Sequence, residues 1–321
     1  MIRFITGSGH VILSSTDDGG VLDNEVMAAR ESASRGVSEA VEHGPAAELR
    51  PYIARYNGYR QAGVAPATHT GLPSPFLTLI VTLDEPLTVA AHPDPRQPSG
   101  EYVTLAGGLH TAPALIRHEG SQSGVQVALS PLGARAVLGM PAGQLASLDV
   151  EGADVIGPLA AELHQRVHAA ETWPDRFAVL DEVLSRRVRA YLETGRPDAG
   201  GEVAAAWQRL LATGGTIGVG ALAAETGWSE RHLRARFAAE IGLTPKAAAR
   251  VIRFDRARRV LQRRAARGRP LGLASVAAEF GYYDQAHLDA EFRAIAGRAP
   301  TAWLAQEFRN LQATVLAAEA G

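Results

Sequence analysis

The sequence contains no cysteine. Disulfides, thiolate metal sites and cysteine nucleophiles are thereby excluded, and the composition suits a reducing cytoplasm. No run of about 18 apolar residues occurs, so no membrane-spanning helix is expected. The opening MIRFITGSGHVILSSTDDGG lacks a long apolar segment followed by a small-residue cleavage site, which argues against secretion. Motifs for phosphate handling and hydrolysis are missing as well. TGSGH near the start does not end in the Gly-Lys-Ser/Thr of a P-loop, and ALSPLG lacks the Gly-x-Ser-x-Gly of a nucleophile elbow. Among ten histidines there is no His-x-His or His-Glu-x-x-His spacing. His69, His92, His110 and His118 are therefore expected in solvent-exposed loops rather than turned inward around a metal. No catalytic residue, metal or cofactor is expected, and the chain is not read as an enzyme.

What the chain does have is a charge asymmetry. Its 321 residues, 46% hydrophobic and 21% charged, suffice for one to three globular domains with a sizeable core. The formal net charge of −2 conceals two parts of opposite sign. From Glu202 to Asn310 there are 17 Arg plus Lys against 10 Asp plus Glu, while the remainder carries 15 against 24. A basic C-terminal third on an acidic body is the footprint of a nucleic-acid module joined to something else. A solvated Arg-rich helix face is the competing reading.

The expected fold class is α+β in two domains, with a β-rich N-terminal domain followed by an all-α one. Residues 1–48, rich in Gly, Ser, Asp and Ala, are expected to be disordered or peripheral. Nothing before Met27 looks necessary for a core, so Met27 is an alternative start; an intact mass that includes residues 1–26 would exclude it. Residues 49–195 are expected to form the β-rich domain, with helices at its C-terminal end. Its short Val-, Thr-, Leu- and Ile-rich segments at 76–83, 86–91, 101–107 and 123–131 are bounded by Pro or Gly and predict an antiparallel sheet or small barrel. Helices are predicted at 132–139, Asp154–Ala170 and Asp175–Leu192. In the last, Phe177, Leu180, Leu184, Val188 and Tyr191 make one apolar stripe, suited to packing on the sheet or to pairing between subunits. A Gly/Pro-rich linker over 196–201 leads to the helical domain, 202–310, and a tail, 311–321.

The helical domain repeats itself. Shifted by 54 residues, Ala223 meets Ala277 and Gly227 meets Gly281; shifted by 55, Leu233 meets Leu288, Phe237 meets Phe292 and Pro245 meets Pro300. Each unit reads as a short helix, a glycine turn and a second helix, which is the helix-turn-helix arrangement. In the first, helices at 219–225 and 230–240 flank Gly227, which can end the first helix in the left-handed conformation. Ser229 caps the second helix, Ala223 lets the two approach, and Leu233 and Phe237 are buried. In the second, Ser275–Phe280 precedes Gly281, Asp284 is the cap, and Leu288 and Phe292 are buried. Between the units a helix from Pro245 to about Ala266 spans roughly 30 Å, close to one DNA turn of about 34 Å, so two heads on one rod could enter successive major grooves.

The landmarks LAAETGWSERHLRARF, GLTP, RFDRARRVL and GYYDQAHLDAEFRAIAGRAPTAW, over about 219–304, resemble the AraC/XylS family of transcriptional regulators. The resemblance implies a seven-helix DNA-binding domain with two helix-turn-helix motifs. It also implies an attached sensing or dimerisation domain, often a cupin-like barrel. Ala248 departs from the pattern, since the family often has an aromatic residue three positions after the proline. The partners so implied are a double-stranded DNA operator, a small-molecule effector, a second copy of the chain, and RNA polymerase if the protein is an activator.

By this pattern and by exposure, the first reading helix offers Glu230, Arg231, His232, Arg234 and Ala235; the second offers Gln285, Ala286, Asp289 and Ala290. Arg231 and Arg234 suit bidentate contact with guanine, Gln285 suits adenine, and Asp289 could accept from cytosine N4. The first helix is therefore expected to carry most base readout. Arg236, Arg253, Arg256 and Arg264 are the candidates for phosphate contact, with Arg263, Arg267 and Arg269 also available, and at most half of the arginines on the long helix and beyond it are expected to do so. A DNA-alkylation repair enzyme, the strongest catalytic rival, fails for want of cysteines. A protein that uses the helices only for packing remains the third class; its retention on DNA at low salt would be nil.

Overall fold

The computed structural model describes residues 37–195 and 200–307. Residues 1–26, the proposed Met27 start, most of the linker and the tail at 311–321 lie outside the described residues. Within the described residues, ten strands form two antiparallel sheets. The strands are β1 (Val37–His43), β2 (Ile53–Ala62), β3 (Ala67–Gly71), β4 (Leu77–Thr82), β5 (Leu87–Ala91), β6 (Gly100–Tyr102), β7 (Thr104–Gly107), β8 (Ala114–His118), β9 (Gln122–Leu129) and β10 (Asp149–Glu151). The larger sheet runs β1-β2-β9-β4-β7-β10 and the smaller β3-β8-β5-β6.

Period-two alternation decides which layer each side chain enters. On β4, Leu77, Leu79 and Val81 face the helices, while Ile80 joins Leu87, Val89, Tyr102, Leu105 and Ala114 between the sheets. On the helical side lie α1 (Ala134–Leu138), α2 (Gly152–Ile156), α3 (Pro158–Ala169) and α4 (Trp173–Glu193). The stripe Phe177, Leu180, Leu184 and Val188 of α4 is buried in the same cluster as the larger sheet, so this face packs on the sheet.

Three sequence expectations change here. Residues 37–48, expected to be disordered or peripheral, are peripheral but ordered: β1 pairs along its length with β2 at the sheet edge, and Leu49 just after them is fully buried. β1 is an exposed edge strand held by backbone hydrogen bonds, so burial periodicity could not have found it. The single helix expected over Asp154–Ala170 is two, because Gly157 takes φ +58° and Pro158 restarts the chain as the first residue of α3. The four histidines expected in exposed loops are turned inward or sheltered. His69 and His118 face each other across the paired strands β3 and β8, with ring centroids 6.3 Å apart. His92 donates from Nδ1 to Asp149 Oδ2 at 2.8 Å, leaving Nε2 to accept from the Tyr102 hydroxyl at 3.2 Å. His69 and His118 lie on strands, whereas His92 and His110 lie in the connections after β5 and β7 and are sheltered there. Among the described residues no group of three or more His, Asp or Glu could hold a metal ion.

The histidine environment predicts acid sensitivity. Burial, assisted by the neighbouring His118, lowers His69 to about 4, and burial likewise lowers His110 and His118. Unfolded imidazoles titrate near ~6.5, so between that value and about 4 the unfolded chain binds more protons than the folded one. Stability is thus full above this window and falls as pH drops through it, by at most roughly 1.4 kcal/mol per pH unit for His69. Urea unfolding at neutral pH and near ~pH 5 should show this loss, and the His69→Gln variant should show a shallower one.

Candidate nucleic-acid interface

The helical domain comprises α5 (Gly201–Ala212), α6 (Val219–Thr226), α7 (Glu230–Ile241), α8 (Pro245–Ala266), α9 (Leu273–Glu279), α10 (Gln285–Ala296) and a final helical run over 300–307. The repeat seen in the sequence is a repeat in space. Ala223 and Ala277 are both buried, as are Leu233 with Leu288 and Phe237 with Phe292. Gly227 and Gly281 both sit at φ +71° in the turn between the paired helices. Ser229 accepts from the backbone N–H of His232 at 3.3 Å, and Asp284 from that of His287 at 2.7 Å, so both reading helices are capped. The first helix of the second unit begins at Leu273, two residues before the expected Ser275, after Gly272 in the left-handed region.

The two glycines differ in what surrounds them. A Cβ at Gly227 would meet nothing within 4 Å, whereas one at Gly281 would lie 2.9 Å from Thr216 Cγ2. Gly227→Ala is therefore expected to cost only the left-handed conformation, roughly 1–2 kcal/mol, and Gly281→Ala more, because Thr216 must also move. Urea midpoints of the two variants should rank in that order.

The 22 residues of α8 span about 33 Å and carry one head at each half. The first half, to Ile252, shares a core with α5–α7; from Phe254 onward the helix packs with α9, α10 and Trp303. Ala248, the departure from the family pattern, is buried in the first of these cores.

On α7 the exposed positions Glu230, Arg231, Arg234, Ala235 and Arg236 project away from Leu233 and Phe237. Arg231 and Arg234 make no hydrogen bond or ion pair among the described residues. His232 is also exposed, but its ring packs edge-on against Trp228 at 4.6 Å. In the second unit His287 packs the same way on Tyr282 at 5.4 Å. This matched aromatic–histidine pair, Trp228 with Tyr282 and His232 with His287, was legible in the same 54- and 55-residue offsets and was missed in the sequence.

On α10, Gln285, Ala286 and Ala290 are exposed. Asp289 is half-buried, with Oδ1 sheltered and unpartnered, so it confronts a groove less openly than its spacing suggested. Glu291 is taken by Arg250 at 2.9 Å, off the reading face. Arg293 in the last turn of this helix and Tyr283 just before it, the latter 93% exposed, were not singled out by sequence.

The proposed phosphate contacts divide. Arg236 is exposed, and so is Arg256, whose guanidinium lies over the Phe280 ring at 5.7 Å. Arg253 donates to the Gly215 carbonyl at 3.2 Å and lies over Tyr282, tying the approach to the first head to the turn of the second. Arg264 donates to the Leu271 carbonyl at 2.8 Å and to Ser275 Oγ, which fixes the entry to α9. Its guanidinium is thus engaged within the second head, a role that its place in a basic run did not reveal.

The β-rich domain touches the first reading helix directly. Arg135 of α1 forms a two-pronged pair with Glu240 of α7, at 2.7 and 3.0 Å. The 3-10 turn Ala142–Leu145 packs there too: a Cβ on Gly143 would lie 2.1 Å from the Ala239 carbonyl oxygen, so only glycine permits this approach.

Residues 222–306 match the family model of a helix-turn-helix domain. This is an AraC-type domain. The AraC-type domain makes the protein a DNA-binding regulator. Residues 41–151 match a second family model, a domain of unknown function designated DUF6597. No curated protein matches the chain. Among solved structures it is similar to ToxT from Vibrio cholerae, at 11% identity over 84% of this chain and 98% of that one, with a TM-score of 0.45. ToxT from Vibrio cholerae O395 bound to (E)-4-(8-methylnaphthalen-1-yl)but-3-enoic acid is similar at 10% identity over 84% and 98%, with a TM-score of 0.44. Unsaturated fatty acid bound ToxT from Vibrio cholerae strain SCE256 follows at 7% over 84% and 94%, with a TM-score of 0.43. Among the described residues no helix is long and apolar enough to cross a membrane.

Proposed function

We propose that the protein is a sequence-specific transcriptional regulator whose two heads enter successive major grooves on one face of an operator. The observation that carries this reading is the pair of matched heads on the two halves of α8, a rod of about 33 Å against a DNA repeat of about 34 Å. Arg231 and Arg234 read bases from the first head; Gln285 and, to a lesser degree, Asp289 do so from the second, with Glu230, His232, Ala235, Ala286 and Ala290 shaping the two surfaces. Arg236 and Arg256 remain free enough for phosphate contact.

The β-rich domain modulates this binding. Its contact with α7 through Arg135, Glu240 and Gly143 supplies the route, since any movement of α1 or the 3-10 turn acts directly on the first reading helix. A cleft of about 360 Å³ at one end of the two sheets, lined by Tyr59, Glu85, Leu87, Glu101, Arg117 and Glu119, is the place where a small polar effector would bind. Selection of duplexes from a random pool, followed by footprinting, tests the reading. Two protected segments about one helical turn apart are expected; a pool that shows no enrichment would overturn it.

A further inference from the structure

A cleft of about 610 Å³ opens between the two heads and is used by none of the assigned reading positions. Its floor is the face of α8 that carries Lys246, Arg250 and Arg253, spaced four and three residues apart on one side of the helix. One wall is the connection Gly215–Val219 into α6; the other is α10, through His287 and Glu291.

The groups in this cleft are arranged as donors. Lys246 is exposed and makes no hydrogen bond or ion pair among the described residues. Glu291, the single carboxylate in the lining, takes only the Nε edge of Arg250. The imidazole Nδ1 of His287 accepts the backbone N–H of Tyr283 at 3.2 Å, which leaves Nε2 as the ring's N–H donor. Arg253 Nε is buried without a partner. At the mouth, Gly218 precedes α6 with no side-chain cap, unlike Ser229, Thr244 and Asp284 at α7, α8 and α10. The N–H groups of that first turn have no side-chain cap, and Glu230 Oε1 lies beside Gly220 within it. Three cations against one carboxylate leave the cleft positive.

We infer that this cleft holds a backbone phosphate of the DNA strand that crosses from one major groove to the next between the two heads. The inference rests on the DNA-binding reading and adds to it the point where the duplex is gripped midway. His287 stands beside the exposed Ala286 on the first turn of α10, so the cleft and the second reading face open next to each other. Lys246 is the principal phosphate ligand, His287 Nε2–H and the amides at the start of α6 add directional bonds, and Arg250 and Arg253 supply field. Glu291 limits the grip. Such a contact carries no sequence information but fixes register on the duplex.

The test measures binding of the full chain to a duplex selected by the protein and to random-sequence duplex, each across a range of KCl concentrations. Lys246→Ala is expected to weaken both duplexes by the same factor and to lower the slope of log K against log salt by about 1. Lys246→Arg should restore the slope, and Glu291→Gln should tighten both duplexes. An unaltered slope in Lys246→Ala overturns the inference while leaving DNA binding standing. A loss confined to the selected duplex makes Lys246 a base reader and also overturns it. If inorganic phosphate raises the melting temperature of the parent protein but not of Lys246→Ala, and the slope is unaltered, the cleft serves a small phosphate ligand instead. A parent protein that binds neither duplex removes the DNA-binding reading itself.

Discussion

Replacing Arg231 or Arg234 by alanine is expected to weaken binding to the selected duplex by roughly 1–3 kcal/mol each where the contact is bidentate, a factor of about 5 to 150. Both side chains leave the first two turns of α7 on the side away from Leu233 and Phe237, and neither is engaged by another described residue. Their removal should leave the urea midpoint within about 0.5 kcal/mol of the parent, as for surface changes that break no partner. Affinity for random-sequence duplex should fall much less than affinity for the selected one, because a base contact carries the discrimination. Unchanged footprints and affinity in both variants would sink the assignment. The 55-residue offset gives an internal comparison, since Arg231 corresponds to Ala286 and Arg234 to Asp289. The second head thus presents a methyl group and a half-buried carboxylate where the first presents two guanidinium groups. Asp289→Ala is accordingly expected to change affinity less than either arginine variant.

Truncating Phe292 to alanine is expected to cost roughly 3–5 kcal/mol, and to cost it in one head. The ring is fully buried, 4.8 Å from Phe254 and 5.9 Å from Trp303. Its cluster, from Phe254 to Leu304, is separate from the larger core that joins the β-rich domain to the first head. Hydrogen exchange should therefore show protection lost over α9 and α10 and retained over α6 and α7, and the footprint should shrink to one major groove. Phe237→Ala is the reciprocal case. Its ring lies 6.2 Å from Trp207 within the larger core, so its loss should reach α5 and the contact with the β-rich domain. If Phe292→Ala abolishes protection in both heads equally, the two behave as one cooperative unit and the division at Phe254 has no energetic meaning.

Legibility in the sequence followed locality. The repeat, the glycine turns, the Ser229 and Asp284 caps and the Leu–Phe stripes depend on spacings within one or two helical turns, and each lies where that spacing placed it. Strands were found where apolar β-branched residues run together, as in β4, and missed where the segment is more polar or exposed, as in β1, β2, β3 and β8. Residue type alone could not assign the arginines. Arg234, Arg253 and Arg264 look alike along the chain, yet one is exposed without a partner, one spans two heads and one fixes the entry to α9.

The sequence by itself determined the duplicated helix-turn-helix arrangement, its glycine turns and caps, and most of the residues that the second helix of each unit exposes. Helical periodicity is a local property, and burial of an i, i+4 stripe leaves only one face free. The tertiary structure decided what depends on residues far apart in the chain. It paired Arg135 with Glu240 across 105 positions and set Gly143 against α7, turning two domains that composition separates into one packed body. It set His69 against His118 across two paired strands and His92 against Asp149, contacts between residues far apart in the chain. It also assembled Lys246, Arg250 and Arg253 with His287 and the connection Gly215–Val219 around one cleft, since packing between the heads brought three separate segments together.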